Sequence, residues 1–204
     1  MGIIFDLGFS YNQIMDVSKG LSFNYRGRLN MKMGHNKFSA HDIIKNLTAS
    51  ELEKIFKYFG EEKKSKIISK RIAKERNNKE ILTEDLVNII NSTKKYFSKK
   101  NKATKIFQAL RMIVNSEISE LINGLSKSCN LISENGIILT VTFHSIEDKI
   151  CKFFFNNISN PTKLSRYLPI NSVQDTSFNI INKKPILPTS EEVETNPPSR
   201  SAKL

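Results

Sequence analysis

Two cysteines, Cys129 and Cys151, are all that 204 residues contain. That excludes a disulfide framework, and no zinc-like spacing is present. A reducing cytosol fits such a chain best. Histidine is almost as scarce. His35, His41 and His144 are scattered and form no ligand cluster, so no metal is expected. No apolar run approaches the ~18 residues that a membrane span needs. The first residues show no secretory pattern of a charged start and an apolar stretch. No internal repeat is visible. Acid is the minority charge, with 20 Asp and Glu against 32 Lys and Arg.

What is present is an ordinary globular composition, 39% hydrophobic and 25% charged, long enough for one or two domains with a real core. The net charge is +12 and unevenly spread. Between Lys57 and Lys105 there are fifteen basic and six acidic residues, a local balance of +9. Such a segment suggests a polyanion, most simply nucleic acid. A solvated lysine face, filled by a genome rich in Lys, Asn and Ile codons, explains it equally.

Residues 2–8 read Gly-Ile-Ile-Phe-Asp-Leu-Gly. A short apolar run bounded by turn signals predicts a strand buried on both faces of a parallel sheet. Ligands in open α/β sheets lie beyond the carboxyl ends of such strands, where Asp6 stands. Ser201-Ala202-Lys203-Leu204 reads as the opening of another strand. The expectation is the back half of an α/β enzyme. Residues 9–38 form a long loop, the length at which loops are functional or disordered. Ser39 caps a helix through Leu47. Thr48 and Glu51 have capping-box spacing for a helix ending at Gly60. A basic helix is predicted over 61–80, another over 83–91, then a lysine-rich loop to about Thr104. Ile106, Leu110, Ile113, Val114, Ile118, Leu121 and Leu125 predict one long amphipathic helix packed on the sheet. Ile137 to Phe143 is a second buried strand, and a helix covers 146–156. Residues 157–200 carry little pattern.

Several stretches together carry a resemblance. They are Phe5-Asp6-Leu7-Gly8-Phe9-Ser10 through Gln13; Lys19-Gly20-Leu21-Ser22-Phe23 with Leu29-Asn30-Met31-Lys32-Met33; Ala103 to Arg111 with Asn115 and Glu117; Phe143-His144-Ser145-Ile146-Glu147-Asp148-Lys149; and Lys184-Pro185, Asn196-Pro197 and Arg200 to Leu204. In this order they resemble the bacterial 16S ribosomal RNA (cytosine-N4)-methyltransferase family. The resemblance implies an α/β fold: part of a Rossmann-like class I methyltransferase sheet with an inserted all-helical lobe. It implies a partial core over 1–37, a helical RNA-binding insert over 38–103, and the rest of the core over 104–204. It implies S-adenosyl-L-methionine as cofactor, 16S rRNA or the small ribosomal subunit as partner, and a bacterial cytoplasm, an organellar home staying open. The family's glycine-rich cofactor loop and the acid of its next strand are absent. A homodimer is left open.

By resemblance, Asp6 and Gln13 contact the cofactor, and Asp6 and His144 are the candidate catalytic residues. Asp6 could instead cap a turn, and Gln13 could be an ordinary loop residue. Arg26, Arg28, Lys32, Lys105 and Arg111 are the candidate RNA contacts. Arg26-Gly27-Arg28 and Asn30 with Lys32 depart from the family pattern, losing acid and gaining positive charge. Gln108 and Arg111 face a cleft, RNA or plain solvent. Ser145 reads as a helix cap with Asp148 in the first turn. The expected reaction is methyl transfer to the exocyclic N4 amine of a cytosine in the decoding region, with the chain inactive alone. The alternative is a non-catalytic RNA-binding remnant.

Overall fold

A computed structural model describes residues 1–93, 101–159 and 178–204. The stretch 94–100 of the predicted lysine-rich loop and residues 160–177 of the pattern-poor tail lie outside the described residues. The chain divides into two compact units: Phe9–Glu117, and Met1–Gly8 with Ile118–Leu204.

The first unit is helical. It contains α1 (Tyr11–Met15), α2 (Ala40–Asn46), α3 (Ala49–Tyr58), α4 (Ser65–Glu75), α5 (Thr83–Thr93) and α6 (Thr104–Val114). The predicted caps are present. Ser39 and Asp42 close a capping box on α2, and Thr48 and Glu51 close one on α3. Each box satisfies backbone N–H groups that would otherwise lack partners. The basic helix is shorter than the predicted 61–80. Glu61, with φ at 47°, interrupts the backbone before it. One core joins Leu52, Phe56, Ile68, Ile72, Leu86, Ile90, Ile106 and Leu110, all fully buried. Apolar burial of this kind is the main term holding such a unit together.

The long loop belongs to this core and is not an appendage of the sheet. Leu29 and Met31 are fully buried in it. Thr83 staples the loop. Its hydroxyl donates to the Tyr25 carbonyl at 2.6 Å and accepts from Gly27 N–H at 2.9 Å, while its own N–H donates to the Gly27 carbonyl at 3.0 Å. Gly20 has φ of 59°, and a Cβ there would stand 2.1 Å from the Arg28 carbonyl oxygen. Both the loop and α6 fall inside the helical unit.

The second unit carries the sheet. β1 (Gly2–Asp6) and β2 (Ile137–Val141) pair in parallel, from Gly2 opposite Ile137 to Asp6 opposite Val141. With them lie α7 (Glu117–Leu131), α8 (Ser145–Ser159) and α9 (Ser190–Thr195). The predicted single long helix is two helices, broken at Ser116, whose φ is 51°. Ile106 and Leu110 of its apolar stripe serve the helical core, while Leu121 and Leu125 pack with Phe5, Leu7 and Cys151. So α7 covers the sheet, not α6. Gly124 permits the contact: a Cβ there would stand 2.9 Å from Phe5 Cε1.

The strands are not buried on both faces. Ile4 is 68% exposed, Ile137 45% and Leu139 37%. Paired residues of a parallel sheet share a face, so these three form one apolar surface. Nothing among the described residues of this unit covers it. The expected last strand is a single antiparallel bridge, with Thr142 and Lys203 exchanging N–H···O bonds of 2.9 Å each way. Among the described residues no helix is long and apolar enough to cross a membrane.

Candidate functional site

In the sheet unit, the carboxyl ends of β1 and β2 lie side by side. Leu7 N–H donates to the Val141 carbonyl at 3.1 Å, extending the pairing one residue past Asp6. Gly8 then turns with φ of 108°, a conformation that L side chains rarely adopt. Its open side faces the Phe143 ring, with Cδ2 3.9 Å from where a Cβ would lie. Asp6 and the segment Phe143-His144 thus leave adjacent strands at one edge. Asp6 is exposed, and its carboxylate has no hydrogen bond or ion pair among the described residues.

The β2 side of this edge is built by Glu147. Its Oε2 accepts from Phe143 N–H at 2.9 Å and from His144 N–H at 3.3 Å. In return, Glu147 N–H donates to His144 Nδ1 at 3.4 Å. The His144 carbonyl accepts the first helical bond of α8, from Asp148 N–H at 3.2 Å. His144 is therefore the capping residue and Glu147 its reciprocal acid, so the predicted cap at Ser145 is one residue out of phase. His144 Nε2 also lies 3.0 Å from Glu147 Oε1, but at an angle that makes no hydrogen bond. Glu147 is buried, and the His144 side chain is only 12% exposed.

Asp148 points elsewhere. It pairs with Lys152 at 3.0 Å and Lys203 at 3.1 Å. Partial burial pushes its pKa up, but the hydrogen bonds from the two lysines outweigh that, and it lies below the usual carboxylate value. The pair with Lys203 ties the last residues to the start of α8. Cys151 is buried, packs with Leu121 and Leu125, and that burial pushes its thiol above the usual range.

The other predicted residues belong to the helical unit. Gln13 closes a capping box on α1: its Oε1 accepts from Ser10 N–H at 2.9 Å. That leaves its amide N–H groups for any ligand. Arg26 and Arg28 stand on the surface, 74% and 75% exposed, beside Glu84 at 3.6 Å and Glu80 at 3.2 Å. Exposed pairs of this kind are worth little and leave both guanidiniums accessible. Lys105 donates to the Glu61 carbonyl at 2.8 Å, and Lys32 to the Lys37 carbonyl at 3.4 Å.

Arg111 does not stand at the surface. It is 91% buried, gives two hydrogen bonds to Glu117 at 2.8 and 2.9 Å, and stacks 4.8 Å from the Phe9 ring centroid. Its fork is fully engaged by a carboxylate, the partner whose shape it matches. Gln108 is partly buried, its amide 3.8 Å from Met112 Sδ. Asn115 fixes the loop instead. Its Nδ2 donates to the Met31 carbonyl at 2.8 Å, and its Oδ1 accepts from Met33 N–H at 2.8 Å. Glu147 and Asn115 were present in the quoted motifs without a role. For Glu147 the signal was there: His144 precedes it by three, the capping-box spacing, with histidine in place of Ser or Thr.

In open α/β sheets ligands lie beyond the carboxyl ends of the strands, the edge where Asp6 and the His144 cap stand. Comparison with known proteins names the class: the chain belongs to the MraW methylase family, whose model matches residues 1–204. Among its relatives is the ribosomal RNA small subunit methyltransferase H of Sinorhizobium fredii, 38% identical over 206 residues, covering all of this chain and 60% of that protein. Proteins of the same name from Clostridioides difficile and Mycoplasma mycoides are 38% and 40% identical, each covered to 67%. The chain spans 60% of the length of the first of these relatives.

Proposed function

We propose that this chain carries the base-binding and RNA-binding part of an S-adenosylmethionine-dependent enzyme that methylates the exocyclic N4 amine of a cytosine in the decoding region of 16S rRNA. The surrounding fold would be a Rossmann-like class I methyltransferase sheet with the helical unit inserted, working in the cytoplasm. The observation that carries this reading is Asp6, an exposed carboxylate without a protein partner at the carboxyl end of a parallel strand.

The donor set fits the cofactor in part. Asp6 offers acceptor oxygens for an amine or hydroxyl of an adenosyl group, or for the N–H of the target base. The cofactor, when bound, supplies an electrophilic methyl carbon. A cytosine amine is a weak nucleophile because its lone pair is delocalised into the ring. An acceptor at Asp6 would polarise an N–H of that amine as the nitrogen rehybridises. Glu147 holds His144 and the strand end rigid, so the base would meet a fixed wall. Positioning of this kind supplies roughly 7–11 kcal/mol of a barrier. The base must leave its stack at a cost of a few kcal/mol, which basic surface gripping the RNA backbone offsets.

A second reading is favoured by the uncovered face of Ile4, Ile137 and Leu139. With one sheet face bare and one free carboxylate, the chain by itself would bind RNA and not transfer methyl groups. Calorimetry with S-adenosylmethionine separates the two readings. Micromolar binding to the 204-residue chain, lost in Asp6→Ala, supports an autonomous enzyme. Absence of binding supports the RNA-binding reading for the chain alone.

A further inference from the structure

The segment from Lys63 to Lys74 holds Lys63, Lys64, Lys66, Lys70, Arg71 and Lys74, and no acid. Helix α4 sorts them. Ile68, Ser69 and Ile72 are buried on one side, and Lys66, Lys70 and Lys74 are exposed on the other. These three lysines follow one another at i, i+4 and i+8, so they form one ridge with about 6 Å of rise per step. None of the three has an ion pair among the described residues. Lys64 and Arg71 are engaged, donating to the Thr93 carbonyl at 3.0 Å and to Ser92 Oγ at 2.7 Å.

Such a ridge works against its own helix. Like charges at i, i+4 destabilise an isolated helix, and Lys66 also faces the positive end of the helix dipole. A lysine-rich composition alone does not require this arrangement. On α8 the same chain places Asp148 four residues before Lys152 and pairs them at 3.0 Å. In α3 an acid, Glu51, occupies the first turn, and in α4 none does. Local rules broken without an internal gain mark functional positions.

We propose that the Lys66–Lys70–Lys74 ridge is a track for the sugar–phosphate backbone of an RNA strand. The assignment rests on the RNA reading above and deepens it, moving the main phosphate contact from the loop arginines to α4. A polyanion running along the ridge converts the repulsion within the helix into attraction.

The test uses the 204-residue chain and a fluorescein-labelled stem-loop RNA of the decoding region, with anisotropy read across about 50–200 mM salt. Lys66→Gln/Lys70→Gln/Lys74→Gln should lower the slope of log affinity against log salt by about two to three. The same triple variant should melt at a higher temperature than the parent, which rules out unfolding as the cause. Lys149→Gln/Lys152→Gln on α8 should leave the slope unchanged. Wild-type binding with an unaltered slope in the triple variant overturns the ridge and leaves the RNA reading standing. No salt-dependent RNA binding by the wild-type chain overturns both. Binding to phosphatidylserine vesicles in place of RNA overturns the ridge as an RNA track.

Discussion

Arg111 grips Glu117 with both arms of its guanidinium, at 2.8 and 2.9 Å, while lying over the Phe9 ring. Both side chains are nearly buried, 11% and 16% exposed. Breaking such a pair from one side leaves an uncompensated charge. Glu117→Ala should therefore cost about 3–5 kcal/mol in urea unfolding. Arg111→Lys should not restore full stability, because an ammonium cannot make the two-pronged contact. The salt slope of RNA binding should be unchanged in Arg111→Lys. A slope lower by about one would return Arg111 to the RNA-contacting set.

Gly60 follows α3 as the sequence suggests, but for a different reason. It is packed against backbone: a Cβ would stand 2.7 Å from both the Lys105 and the Phe56 carbonyl oxygens. Backbone cannot swing aside as a side chain can. Gly60→Ala should destabilise the chain by about 1–3 kcal/mol in chemical denaturation, as overpacking does. A neutral or stabilising effect would contradict this packing.

Thr83 ties the long loop to α5 through its hydroxyl. Thr83→Val keeps the shape and strands the Tyr25 carbonyl and the Gly27 amide. Losing these two part-buried hydrogen bonds costs about 0.5–1.5 kcal/mol each. Amide exchange in residues 25–31 should quicken. Exchange rates equal to those of the parent would mean the loop is held elsewhere.

Acid should weaken the helical caps. Asp42 is held below the usual carboxylate value by the Ser39 hydroxyl and backbone N–H, and Glu51 by the same groups of Thr48. In both, the folded pKa is the lower one, so the unfolded chain binds more protons in the window between the two values. The caps contribute fully above about pH 5, and the contribution fades as pH falls through the folded pKa. A chain carrying Ser39→Ala and Thr48→Ala should lose less stability than the parent between neutral pH and pH 3. Equal losses would show that other carboxylates govern acid unfolding.

Local rules carried well from sequence to structure. The caps at Ser39 and Thr48 and the position of Asp6 at a strand end depend on a few neighbouring residues, and the parallel pairing of β1 with β2, though distant in sequence, follows from the strand–helix–strand order. The failures were nonlocal. Apolar spacing over residues 106–125 continues through Ser116 without a flaw, yet its two halves serve different cores. Only the left-handed Ser116 and the Asn115 anchors separate them, and neither leaves a periodic signal. Arg111 looked like a free cation because Glu117, six positions on, faces it only after that break. The loop over 9–38 read only as functional or disordered because its hydrogen bonds run to Thr83, 58 and 56 residues from Tyr25 and Gly27.

Asp6 at the strand end is the residue on which methyl transfer should depend. The most direct measurement joins this chain to the glycine-rich segment of a family relative and follows radiolabelled methyl transfer to small-subunit rRNA. N4-methylcytosine should form in the decoding region, and Asp6→Ala should lower transfer at least about a hundredfold, a loss of about 2.7 kcal/mol in transition-state stabilisation. Transfer that is undiminished in Asp6→Ala, or that lands on another atom of the RNA, would contradict the account.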